Sequence, residues 1–264
     1  MLPDMPSPDK RPLSRSPLIT AVCQIKFEEI VAVSEPRTML AFQNELGGRT
    51  GAYPRSERLA SPTIIIRQIG NGLPQPSIDA VQHGWRLVSA DGTWAVMLMP
   101  DNVALETTRY TTWDGDFRER LRSVLIALSK SVSPTTEQRL GLRYVNQIAH
   151  PPVKSPEQWK EYIAPELLGV VLHDHLGPRV AAAQQQFDID CGNDIKCGLR
   201  HGFADSRRTN GSFVYLIDID VYREDIHEFD PDDSEAAAAE FNDISVQIFR
   251  ECVTDHLYDI LASS

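Results

Sequence analysis

Cysteine is scarce in this chain, at 4 of 264 residues (Cys23, Cys191, Cys197 and Cys252), and no two are spaced as C-x-x-C. That excludes a disulfide scaffold and the usual zinc or dithiol redox spacings, so reduced thiols are expected. No stretch approaches the ~18 uninterrupted apolar residues of a membrane span. The opening MLPDMPSPDKRPLSRSPL carries basic residues with no apolar run behind them, unlike a secretory signal. A cytoplasmic protein without membrane association is the expectation. GxSxG, HExxH, GxGxxG and phosphate-loop fingerprints are also missing, which favours binding over catalysis and implies no cofactor.

What is present is an ordinary globular composition, 42% apolar and 24% charged, and a length that fits one large or two small domains. The formal net charge is -11, but it is not spread evenly. Residues 212–264 hold 14 acidic side chains against only Arg223 and Arg250, while residues 1–211 are close to neutral. A field of that sign repels a phosphate backbone and attracts a basic protein surface or a divalent ion. Nucleic-acid binding through this end is therefore not expected.

Five prolines in residues 1–17 read as an extended arm. From Leu18 to Ile30 apolar residues alternate as in a strand, and Ser34-Glu35-Pro36 looks like the start of a helix that stops at Gly47-Gly48. Strands are expected at 63–69, 85–90, 95–99 and 103–108, then an amphipathic helix over 112–131. The second part repeats the order: a strand at 139–148, a helix at 156–168, strands at 180–191, 195–203 and 213–222, and a long helix from Asp233 to Ile260. The fold class expected is α+β, built as two pattern-related β-α-β-β-β-α halves, 18–132 and 133–264, with one extra strand in the first. Each half would be an antiparallel sheet gripping a long helix. The element order resembles TATA-binding-protein-like and helix-grip folds.

Three segments stand out together: PLITAVCQIKFE near the start, GLRYVN (141–146), and FNDISVQIFRECVTDHL (241–257). With YTTWDGDF (110–117) they resemble a sporadically distributed family of bacterial proteins of about 260 residues. The resemblance implies no catalytic residues. The patchy occurrence of that family is similar to that of genes for phage defence and toxin neutralisation.

Several residues are candidates for a site. In GLRYVN the two-residue period puts Tyr144 and Asn146 on one face and Arg143 on the other. Arg143 would either bind an anion or pair with a carboxylate across the sheet. Tyr110 and Trp113 would either line a groove between helix and sheet or pack as core. Asp218 and Asp220 share a face of their strand, as do Asp188 and Asp190, and four such carboxylates could hold Mg²⁺ or Mn²⁺ for phosphoester chemistry. His173 and His175 read as loop histidines, zinc ligands only if His201 or Cys197 joined them. Arg207-Arg208 reads as a hairpin tip. Three functions remain in view: docking of a basic protein by the acidic C-terminal half, in a toxin-neutralising or defence setting; a carboxylate-dependent metalloenzyme; and a small-ligand binder using a helix-sheet groove.

Overall fold

Alternation in LITAVCQIKF gives β1 (Leu18–Phe27), which buries Ala21, Cys23, Ile25 and Phe27 and turns Val22, Gln24 and Lys26 the other way. The computed structural model describes residues 2, 5–7, 11, 13–67, 75–204 and 213–263, and side chains for these except 61–67, 75–82, 150 and 204. The remaining strands are β2 (Arg55–Arg67), β3 (Gln75–Val88), β4 (Trp94–Met99), β5 (Asn102–Thr107), β6 (Thr136–Val153), β7 (Ala183–Asp190), β8 (Lys196–Ala204), β9 (Phe213–Arg223) and the short β10 (His227–Glu228). All belong to one antiparallel sheet in the order β2-β3-β4-β5-β1-β6-β9-β8-β7, with β10 beside the start of β6. The first and sixth strands pair at its middle, from Leu18 opposite Asn146 to Phe27 opposite Glu137. Elements from both parts of the chain therefore share one sheet and one continuous cluster of buried side chains.

Helices cover one face of this sheet and leave the other to solvent. They are α1 (Pro36–Glu45), α2 (Arg118–Ser131), α4 (Pro231–Cys252) and α5 (Asp255–Ala262), with a single turn, α3 (Pro165–Leu168), in the connection from β6 to β7. In α2 the apolar residues Leu121, Val124, Leu125 and Leu128 are fully buried, as their helical spacing dictates. The expected start of α1 moves by one residue. Ser34 donates to the carbonyl of His83 at 2.7 Å, and Glu35 occupies the cap position without a side-chain bond.

Three expectations change. Residues 156–168 do not form a helix: a 3₁₀ stretch at Pro156–Glu161 ends before α3, and Gly169 at φ +47° stops α3 after one turn. The last helix is two helices, because Val253 is extended and bridges to Ile163, after which Thr254 caps α5 by accepting from the N–H of Leu257. The helix expected from Thr112 begins with a wide π turn, Trp113–Phe117, whose cap is Thr112 accepting from Gly115 N–H at 2.9 Å.

Described residues of the arm, Leu2, Pro6, Arg15 and Pro17, bond to α4, α5 and β6. The buried Gln247 of α4 accepts from the N–H of Leu2 at 3.0 Å and donates to the carbonyl of Pro6 at 2.8 Å. Arg15 N–H donates to the carbonyl of Leu261, and Gln147 N–H to that of Pro17. Among the described residues no helix is long and apolar enough to cross a membrane.

Candidate functional site

The sixth strand positions the site. Its two-residue period sends Leu142, Tyr144 and Asn146 under the helices and Arg143 to the open face. Beneath α4, Tyr144 and Asn146 border a cavity of about 370 Å³. Its other walls come from the segment before α2 (Tyr110, Trp113), from α4 (Asn242, Ser245, Phe249), and from the arm, with Arg11, Leu13 and Pro17. The π turn sets Trp113 into this wall. Tyr110 and Tyr144 meet edge to face, 5.3 Å between ring centres.

Two phenols and an amide form the polar floor. Tyr144 donates to Asn242 Oδ1 at 3.0 Å and Tyr110 to the same oxygen at 3.4 Å, with the hydroxyls 3.2 Å apart. Burial pushes the Tyr110 phenol up to about 12, and burial beside Tyr110 holds Tyr144 well above the ordinary tyrosine range. Both are therefore neutral hydrogen-bonding groups at any physiological pH, not bases. Asn146 is buried and donates to the Ile217 carbonyl at 3.3 Å.

Arg143, Asp218 and Asp220 are elsewhere. On the open face Arg143 grips Asp218 through two bonds of 2.7 Å, and Arg139, stacked over Tyr222, holds Asp220 at 2.9 Å. Burial raises the carboxyl of Asp220, opposed by Arg139 and Arg143. Asp188 and Asp190 lie on β7, and β8 separates them from Asp218 and Asp220, with Gly198 between Asp188 and Asp220. The structure thus does not bring the four carboxylates together. Among the described residues no three His, Cys, Asp or Glu side chains are placed to hold a metal ion.

The other candidates are also dispersed. His173 and His175 are exposed in a turn, where His173 Nδ1 accepts from the N–H groups of His175 and Leu176. His201 is buried between the rings of Phe187 and Tyr215, its Nδ1 2.7 Å from the Tyr215 hydroxyl, and burial lowers its pKa. All four cysteines are buried free thiols, with Cys191 raised to about 11 and Cys252 to about 12 by burial. Arg207-Arg208 lies outside the described residues.

Part of the C-terminal acidity is neutralised by arginines of the same chain. Glu235 is buried between Arg118 and Arg122 of α2, which outweigh burial and lower its pKa. Asp232 pairs with Arg122, Asp233 with Arg223, and Asp255 with Arg250.

Four of the seven binding candidates, Tyr110, Trp113, Tyr144 and Asn146, thus line one cavity. Missed beforehand were Asn242 and Ser245, polar residues at i and i+3 directly beside the apolar stripe of Phe241, Ile244 and Ile248. Polar side chains bordering a buried stripe were the available signal. Arg11 and Tyr258 carried none. No protein-family model and no curated protein matches the chain.

Proposed function

We propose that this chain is a binding protein for a small organic molecule, held between α4 and β6 beneath the proline-rich arm. The observation that carries the reading is the cavity itself: about 370 Å³, walled by aromatic rings, with a few buried polar groups fixed by bonds to one another. Small-molecule sites have this size and this mixture of apolar wall and sparse oriented polarity. Neutral phenols with raised pKa values suit recognition better than proton abstraction. A basic protein partner for the acidic end has less support, because arginines of the same chain already occupy Asp218, Asp220, Asp233 and Glu235.

In the same proposal, residues 18–132 and 133–264 are two related halves joined at the β1–β6 seam, working in the cytoplasm. The strand order outward from the seam supports this: β5-β4-β3-β2 on one side and β9-β8-β7 on the other, each retracing its hairpins from the last strand to the earliest. The cavity lies close to the seam, where a groove between joined halves would be expected. Two departures from that symmetry are the extra strand on the first side and the short turn α3 where the first half has α1.

Thermal-shift screening of a diverse small-molecule set against wild-type protein and a Val246→Trp variant tests the reading. Val246 lines the cavity, and tryptophan would fill part of it. Compounds that stabilise the wild type should lose at least about tenfold in affinity in the variant, the equivalent of ~1.4 kcal/mol. Equal binding by both proteins, or no hit at all, would overturn the reading.

A further inference from the structure

The polar groups around the cavity are oriented by bonds made away from it, and those bonds decide what the cavity offers. Asn146 is 6% exposed; its amide nitrogen donates to the Ile217 carbonyl, which turns Oδ1 the other way. Among the described residues nothing donates to that oxygen. Asn242 is fixed likewise, its Nδ2 donating to Asp243 at 3.2 Å and its Oδ1 facing the two phenols. An amide oxygen has no hydrogen, so both contacts to it are donated by Tyr110 and Tyr144. The phenolic oxygens retain acceptor lone pairs.

The lining hydroxyl of Ser245 is committed as a donor to the Phe241 carbonyl, and that of Thr111 to Asp116. Asp114 is part of the wall. Arg11, also in the wall, places its guanidinium 5.2 Å from the centre of the Tyr258 ring. The Ser16 and Thr112 hydroxyls accept from the N–H groups of Leu18 and Gly115 and, with the exposed Arg11, are the donors of the more exposed wall, where Asp114 lies 3.8 Å from Arg118. The buried end of the cavity presents acceptor oxygens at Asn146 and Tyr144, with Tyr110 beside them and the aromatic side chains of Trp113 and Phe249 in the wall.

Resting on the proposed ligand-binding role, we infer that the occupant is an organic ammonium ion, a donor-only nitrogen carried on an apolar, ring-sized body. The nitrogen sits against Asn146 Oδ1 and the phenolic oxygens, and the body lies along Trp113, Leu13 and Phe249. Tyr144 and Asn146 are two residues apart on the same strand face, which sets their oxygens on one wall.

Calorimetry on the full chain with three probes sharing an indole body, tryptamine, tryptophol and indoleacetate, tests this. Tryptamine is expected to bind about tenfold tighter than tryptophol, as a charge-assisted bond to a buried acceptor implies, and indoleacetate most weakly. Asn146→Leu should bring tryptamine down to the level of tryptophol. If that variant does not fold, Tyr144→Phe, which removes a different acceptor, should weaken tryptamine several-fold and leave indoleacetate unchanged. Tryptophol or indoleacetate binding as tightly as tryptamine, with all three lost in Val246→Trp, would overturn the ammonium inference and leave the cavity as the site. Binding that Val246→Trp does not alter, or no binding by any probe at millimolar concentration, would overturn both.

Discussion

The two faces of the sheet use the same kinds of polar residue to opposite ends. On the open face the GLRYVN strand presents Arg143, which closes on Asp218 through two 2.7 Å bonds in partial contact with water, its side chain 47% exposed. One and three residues further on, under the helices, Tyr144 and Asn146 border a partly open cavity where hydrogen-bonding capacity is left over. Charges in reach of solvent satisfy each other at little gain, whereas polar atoms out of its reach must be satisfied by design or by a ligand. The position of leftover capacity, more than the amount of charge, marks the side of the sheet where binding is expected.

The sharpest way to break that comparison is to remove an ion pair from the covered face. Glu137 is fully buried; Oε1 accepts from Arg223 at 2.9 and 3.0 Å and Oε2 from the Ser234 hydroxyl at 2.6 Å, tying β6 to β9 and to the first turn of α4. Glu137→Ala strands a largely buried guanidinium and is expected to cost about 3–5 kcal/mol in chemical denaturation. Arg223 keeps Asp233 as a partner, which favours the lower end. A loss below about 1 kcal/mol would mean that burial does not separate the two faces.

Smaller effects should follow the same order. Tyr144→Phe removes a buried hydroxyl but leaves Asn242 Oδ1 its bond from Tyr110, so a loss of about 1–1.5 kcal/mol is expected by the same measurement. Arg143→Ala, on the open face, should cost about 1 kcal/mol or less, and the difference should shrink in ~1 M salt as screening weakens the exposed pair. If Arg143→Ala proved as damaging as Glu137→Ala, the open face would need another explanation than mutual neutralisation.

How much of this was legible beforehand follows from which interactions are local. The period of two separated Arg143 from Tyr144 and Asn146 without any structure, and the aromatic run before α2 flagged Tyr110 and Trp113. The break at Val253 was hidden, because Leu257 and Leu261 continue the apolar stripe of α4 nearly in phase while the interruption is made by a bridge to Ile163, ninety residues away. Glu137 was hidden by a bulge. The register with β1 slips between Lys26 and Phe27, so Glu137 joins the covered face although Arg139, two residues on, lies on the open face against Tyr222 and Asp220. Nor did any pattern link Leu2 and Pro6 to Gln247, since a backbone held by a distant amide leaves no periodic trace.

A carboxylate at the rim of the sheet tests whether the contrast between faces is graded or abrupt. Glu28, just past β1, accepts four hydrogen bonds from the segment entering β6: Thr135 N–H and hydroxyl at 2.6 and 2.8 Å, and Thr136 N–H and hydroxyl at 3.0 and 2.8 Å. Partial burial pushes its pKa upward, but these bonds outweigh it and hold the group at about 2, against 4.5 for a free glutamate. A folded-state pKa below the unfolded one adds stability that is complete above the unfolded value and disappears as pH falls through the folded value. Because water reaches the group, the contribution is expected to be only on the order of 0.5–1 kcal/mol. In urea titrations, wild type should exceed Glu28→Gln by that margin at pH 6, with the gap narrowing from about pH 4.5 and closing near pH 2. A gap independent of pH would show that the clasp acts through shape alone, and that charge matters to this sheet only where the helices cover it.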